Sequence, residues 1–383
     1  MARPVPTADA DSNAWAHTRP LLLLAATETA AVEGISAAGA SPQSRRQTAA
    51  ADAELLLKGP LAAREHALPP LPAGVSPALI SHVVLKQLGL LASTVVVDLG
   101  CPVAPAVAHL RLPGQESLGP ARCLSTGAAM PLARAAALLE RGRRWGAQLA
   151  ADRAPQGAPT RPLLLAECVP GGTTTALAVL LGLGVGAHGL VSGSLRQPAH
   201  ALKETLVLQG LEAAGWSLPG GGSAWPDPLA LVAALGDPMQ PLAAGLVLAA
   251  AAHGLPVVLA GGSQMAAVWA LAVALASPQE RPRLVRGIEL ATTAWVVGEA
   301  GSDLPLLLER IAQRFALDQP LPLRVAGLRF GGCRSQALRD YEQGYVKEGV
   351  GAGGLALLWE RCGHSPEALA AACDALCGQW LGA

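Results

Sequence analysis

Short apolar runs alternate along the chain with longer stretches whose apolar residues recur at helical spacing. "STVVVDLG" (93–100) is β-branched, bounded by turn residues, and reads as a strand buried on both faces. "RPLLLAEC" (161–168), "LPVVLAGG" (255–262) and the start of "IELATTAWVVGEAG" (288–301) read the same way, and "LLLLAATET" (21–29) is a short apolar run followed by small and polar residues. "LARAAALLERGRRWGAQLAA" (132–151) carries apolar residues on one helical face and charges on the other, and "TTTALAVLLGLG" (173–184) and "SQMAAVWALAVALA" (263–276) predict buried helices. "DPLALVAALGDPMQPLAAGLVLAAAAHG" (227–254) predicts two helices broken at Gly236–Pro238. Strands alternating with helices predict an α/β fold, a doubly wound and mostly parallel sheet flanked by helices.

The same pattern suggests one domain over residues 19–383, with a large α/β core at about 70–317. Segments 19–69 and 318–383 read as mainly helical and predict a smaller lobe. Residues 1–18 contain acids and a tryptophan but no apolar core, so they read as a flexible tail and not as a secretory leader. "SLPGGGSAWPDP" (217–228) is a Gly/Pro loop, either a surface linker or a lid.

Composition narrows the function. The chain is 51% hydrophobic and 15% charged, which fits a large core. Its richest apolar runs end at His, Gly or Pro well short of the roughly 20 residues of a membrane helix, so no membrane partner is expected. Twenty-eight basic and 28 acidic residues balance, which argues against a nucleic-acid partner held by phosphate neutralisation, though not against one bound phosphate. The seven cysteines form no CxxC pair and have no histidine cluster beside them; free thiols in a reducing cytoplasm fit better than a metal site.

One stretch carries candidate chemistry. From Leu163 to Gly184 an apolar strand ends in Glu167, a Pro-Gly-Gly turn follows, and threonines open a helix. In an open parallel sheet, ligands sit at the carboxyl ends of strands. Gly171 and Gly172 allow close backbone approach, Thr173 and Thr174 add hydroxyls, and a helix N-terminus suits one phosphate. The motif is neither GxxxxGK[ST] nor GxGxxG, so neither a nucleoside triphosphate nor a dinucleotide is indicated. By itself it reads equally well as a plain turn with Thr173 as an N-cap. Gly261 and Gly262, in "GGSQMAA", form a second strand-to-helix turn that borders the same pocket or serves only close packing.

Further stretches carry a resemblance. "AGVSPALISHVVLKQLG" (73–89), "STGAAMPLARAAALLERGRRWGAQLA" (125–150), "GGTTTALAVLLG" (171–182), "AAAAHGLPVVLAGGSQMAAVWALA" (249–272) and "YVKEGVGAGGLALLWE" (345–360) follow in that order. So arranged, the chain resembles nicotinate-nucleotide–dimethylbenzimidazole phosphoribosyltransferases from about Ala73 to Glu360, and its opening resembles their cyanobacterial and archaeal branch.

The resemblance implies transfer of the 5-phosphoribosyl group of nicotinate mononucleotide to a lower-ligand base such as dimethylbenzimidazole, in cobalamin nucleotide-loop assembly. An enzyme using adenine or another base, or a silent nucleotide-binding protein, are the alternatives. The family's catalytic glutamate lies in Gly-Glu-Gly-x-Gly-Ala, which maps Lys347 to Ala352 and makes Glu348 the proton acceptor. Glu167 would face the ribose, and Lys203 would help hold the phosphate. Ser76, Met130, Gly349 and Gly351 would shape the base pocket. The family's Asp-Gly-Phe is Ala260-Gly261-Gly262 here, and its Gly-Gly-Phe-Glu is Gly236-Asp237-Pro238-Met239. No cofactor, a cytoplasmic location and a homodimer complete the expectation.

Overall fold

The computed structural model describes residues 12–152, 161–216 and 226–382. Seven strands form one sheet: β1 (Arg19–Leu24), β2 (Val95–Asp98), β3 (Leu110–Arg111), β4 (Leu163–Cys168), β5 (Val257–Ala260), β6 (Ile288–Thr293) and β7 (Leu323–Ala326). Their order is β3-β2-β1-β4-β5-β6-β7, and every pair is parallel.

Strand side chains alternate between faces, so a sheet covered on both sides needs continuous apolar runs. Leu21, Leu23, Leu163, Leu165, Val257 and Leu259 enter one core with the helices Leu132–Ala151, Gly172–Gly182, Met239–His253 and Ser263–Leu275. Leu22, Leu24, Leu164, Ala166, Val258 and Ala260 enter the other, against the helices Pro42–Lys58, Ala78–Gln87, Ala352–Arg361 and Pro366–Leu381. The predicted break at Gly236–Pro238 separates the helices Pro228–Leu235 and Met239–His253. Among the described residues no helix is long and apolar enough to cross a membrane.

Two expectations are corrected. Segments 19–69 and 318–383 do not stand apart from the sheet: they supply β1, which pairs with both β2 and β4, and the edge strand β7. A six-residue strand at the head of a helical segment is outweighed in a composition-based reading. The tail reading also fails for residues 12–18. Ser12–Ala16 is a short helix, Trp15 packs against the second core beneath the Arg361 guanidinium, 4.0 Å from the ring centroid, and Thr18 is fully buried. Residues 1–11, and the loop expected at 217–228 up to residue 225, lie outside the described residues.

Candidate functional site

The chain runs outward from β1 through β2 to β3 and then returns to place β4 on the other side of β1. Ligands of open α/β sheets bind at such a reversal, outside the carboxyl ends of the strands. A cavity of about 640 Å³ opens there, and residues of the β4 end, the 192–197 loop, the 262–264 turn and the 345–350 loop line it.

Alternation at the end of β4 sends neighbouring side chains to opposite faces. Glu167 follows Leu163 and Leu165 toward the first core, and Cys168 follows Leu164 and Ala166 toward the second. Glu167 is 5% exposed; its Oε2 accepts from the Val169 amide at 3.0 Å and its Oε1 from Gln264 Nε2 at 2.9 Å. Burial pushes its carboxyl up to about 8, with the negative charges of Asp237 and Glu348 adding to the shift. Asp237 is itself raised to about 6 by burial, although Thr175 Oγ1 donates to it at 2.5 Å. Burial thus biases Glu167 toward the neutral acid, and a cation bound beside it would favour its ionised form.

The Pro-Gly-Gly turn is built as the sequence suggested, with Gly171 at φ +79° as the N-cap of the helix Gly172–Gly182. Gly171, Gly172 and Thr173 line the cavity. Two amides there are already engaged: Gly172 N–H donates to the Val169 carbonyl at 2.9 Å and Thr174 N–H to the Gly171 carbonyl at 3.0 Å. The missing Cβ of Gly172 makes room for Gln264, whose Oε1 lies 1.8 Å from where a Cβ would stand. Thr174 is fully buried behind the turn, outside the cavity wall, and its hydroxyl lacks a partner.

Glu348 also borders the cavity, on a loop bonded to the end of β4. Its Oε2 accepts from Thr292 Oγ1 at 3.2 Å and the Thr293 amide at 3.0 Å, both at the end of β6. Its Oε1 accepts from the amides of Gly349 at 3.0 Å and Gly353 at 3.1 Å, where a helix N-terminus favours negative charge. Burial outweighs these donors and raises its pKa. The turn around it is unusual. Val346, Lys347 and Val350 have φ of +64°, +66° and +53°, and each such non-glycine residue costs roughly 1–3 kcal/mol. Surrounding bonds hold it in place: Val350 N–H to the Glu167 carbonyl at 3.0 Å, Ser81 Oγ to the Val350 carbonyl at 2.9 Å, and Thr293 Oγ1 to the Lys347 carbonyl at 2.6 Å.

Lys203 does not reach into the cavity. It is 1% exposed and donates to the Ser192 carbonyl at 2.9 Å, behind the 192–197 loop that forms the wall. Burial lowers its pKa to about 8, with Glu299 opposing and Lys347 adding to the shift.

Ser76 and Gly349 line the cavity, and Gly262 does too, while Gly261 does not. Gly351 stands behind the wall, its missing Cβ giving space to Ala166. Met130 is corrected outright: it is buried in the first core, with its amide donating to the Ala233 carbonyl at 2.8 Å, because Pro131 leads straight into a helix that covers the far part of that face.

The sequence reading missed several lining residues. Asp52, on the helix Pro42–Lys58, accepts from Ser76 Oγ at 2.6 Å and faces the Cys168 thiol at 3.5 Å; burial raises it to about 6. It sits among alanines in "TAAADAELLLK", and only that buried face could have flagged it. Lys347 and Gln264 also line the cavity, as does Arg196, which the sequence does offer as a loop arginine able to hold a carboxylate or phosphate. Among the described residues no group of three or more His, Cys, Asp or Glu is placed to hold a metal ion.

Comparison with known proteins gives a family and a fold. A family model described as "Phosphoribosyltransferase" matches residues 85–285. A UPF0284 protein of Parasynechococcus marenigrum is 52% identical over 366 residues, covering 94% of this chain and 87% of that protein. A UPF0284 protein of Cyanothece sp. is 45% identical, covering 88% and 84%. In fold, the chain is similar to the crystal structure of CobT from Thermus thermophilus, with a TM-score of 0.55 at 21% identity over 95% of this chain and 86% of that one. A second Thermus thermophilus structure, of a nicotinate-nucleotide–dimethylbenzimidazole phosphoribosyltransferase, gives 0.52 at 20% identity over 95% and 85%. With its parallel sheet, its cavity at the strand reversal and these matches, the chain belongs to the nicotinate-nucleotide–dimethylbenzimidazole phosphoribosyltransferase family.

Proposed function

We propose that the protein transfers the 5-phosphoribosyl group of nicotinate mononucleotide to a nitrogen-heterocyclic base, giving an α-ribazole-type phosphate for cobalamin nucleotide-loop assembly. The observation that carries this reading is the pair of buried carboxyl groups, Glu167 and Glu348, bordering one cavity at the sheet's strand reversal. The donor ring is cationic at its glycosidic nitrogen and leaves as a neutral pyridine, so no leaving-group acid is required. As that bond breaks, positive charge develops on the ribose, and an ionised Glu167 stabilises it. The attacking ring nitrogen gains positive charge, its other N–H becomes acidic, and Glu348 takes the proton. Gly171–Thr173, at a helix N-terminus, hold the 5′-phosphate, and Lys203 braces the neighbouring loop from behind.

Asp52 favours one refinement. A buried acceptor beside Ser76 suits a base with a hydrogen-bond donor on its edge, such as adenine, better than the methyl edge of dimethylbenzimidazole. The test is incubation with nicotinate mononucleotide and a panel of bases, measuring released nicotinate and the nucleotide formed. Mononucleotide binding without release for any base would leave a nucleotide-binding protein and reject the transferase reading.

A further inference from the structure

Glu348 is presented by a turn that bends repeatedly into the left-handed region: Val346, Lys347, Gly349, Val350 and Gly351 all have positive φ. The family pattern Gly-Glu-Gly-x-Gly-Ala begins with glycine, which adopts such angles without strain. Here that position is Lys347, at φ +66°. Something else must hold the backbone.

The lysine side chain supplies a hold. It is 1% exposed, and Nζ donates to Glu299 Oε1 at 2.6 Å and to the Leu195 carbonyl at 2.6 Å. Glu299 is fixed in turn: its side chain is 4% exposed, and its Oε2 accepts from Ser192 Oγ at 2.5 Å and Ser302 Oγ at 2.8 Å. On the far side of the same loop, Lys203 donates to the Ser192 carbonyl. A buried ion pair of this kind is weak evidence for stability as such, since desolvation offsets much of the attraction; what it does supply is a fixed geometry.

We propose that the Lys347–Glu299 pair is a positioning device that holds the left-handed turn presenting Glu348, achieving with a side-chain anchor what the family's glycine achieves with backbone freedom. Both are positioning residues, and the functional part of the inference rests on Glu348 as the proton acceptor.

Two double variants separate backbone from charge. Glu299→Gln in both removes the carboxylate that would otherwise be stranded, while keeping an acceptor for the serines. Combined with Lys347→Met, the strained φ remains and the anchor is lost. Combined with Lys347→Gly, the strain goes too. The Met double variant should lose about tenfold or more in kcat, since small misplacements of a reacting group are costly, while KM for the mononucleotide changes little. The Gly double variant should recover most of that loss. Hydrogen–deuterium exchange without substrates should rank the same way over residues 344–352: faster in the Met double variant, nearer wild type in the Gly double variant. Glu299→Gln alone, the mildest change, should accelerate exchange there to an intermediate degree and guards against a double variant that fails to fold. Equal kcat losses in the two doubles, a loss confined to KM, or unchanged exchange in Glu299→Gln would overturn the proposal. Should the wild type turn over no base at all, the role of Glu348 fails while the exchange ranking still decides the anchor.

Discussion

Replacing Glu167 with glutamine should make the empty protein's stability markedly less dependent on pH. A buried carboxyl raised from 4.5 to about 8 holds a proton in the folded state that the unfolded chain has released. Folding stability therefore falls as pH rises through that window, because the native state binds more protons there. Each pH unit contributes up to about 1.4 kcal/mol, so the full loss between pH 4.5 and 8 is about 2–5 kcal/mol, the lower figure allowing for relaxation and water penetration. The substitution itself is mild. The new amide can accept from Val169 N–H and donate to Gln264 Oε1, a buried atom now without a partner, once the Gln264 amide turns over. Urea denaturation of wild type and Glu167→Gln at intervals from pH 5 to 8.5 measures the difference. Asp52 and Asp237 titrate near 6 in both proteins, so the difference between the curves above pH 6.5 belongs to Glu167. Wild type should lose stability relative to the variant across pH 6.5–8, since Lys203 and Glu348 titrate in both proteins and cancel in the difference. Parallel curves would show that Glu167 is ionised in the empty site and refute the argument from burial.

Three other outcomes follow from the same geometry. Glu348→Gln should fold and lose about a hundredfold or more in kcat, the usual scale for a general base; near-normal nicotinate release at saturating base would remove Glu348 from that role. Lys203→Met should weaken mononucleotide binding by about fivefold or less in titration calorimetry, because Nζ is bonded to the Ser192 carbonyl behind the cavity wall and acts on a phosphate only through that loop and its charge. The wild-type advantage should fade above about pH 8 as Lys203 deprotonates, and equal affinities would reject a phosphate role. Asp52→Leu should shift preference from adenine toward dimethylbenzimidazole by about tenfold or more in kcat/KM, since an unpaired buried polar group discriminates strongly; an unchanged ratio measured with both bases competing would show that Asp52 does not face the base.

The sheet was legible because parallel strands buried on both faces leave unbroken apolar runs such as "VVVDLG" and "LLLAEC". Edge strands leave no such trace. β3 has two residues, both exposed, and β7 has two exposed residues of four, so neither stood out. At the site, Glu167 was legible as a carboxylate ending a strand, and Glu348 only through the resemblance of Lys347–Ala352 to a family motif. The residues that set their environment were not. Asp52 lies 115 residues before Glu167, Asp237 70 after it, and Glu299 48 before Lys347, and only tertiary packing brings these together. Lys203 was reached through the family resemblance, and its orientation behind a loop depends on burial that no local pattern encodes.

The position of β1 has a consequence for how the chain is made. Among the described residues β1 precedes every other strand, yet it joins both wings of the sheet: Leu21 pairs with Val95 and Arg19 with Leu163. At roughly 5–20 residues per second, Leu163 leaves the ribosome about 7–30 s after Arg19. Throughout that interval β1, an unbroken leucine run, has an unpaired edge open to other nascent chains. Loop-closure entropy must be met before such distant pairings form, so folding should be slow relative to stability. An interior strand of the finished sheet is thus an aggregation hazard in the nascent chain until the second half of the protein arrives.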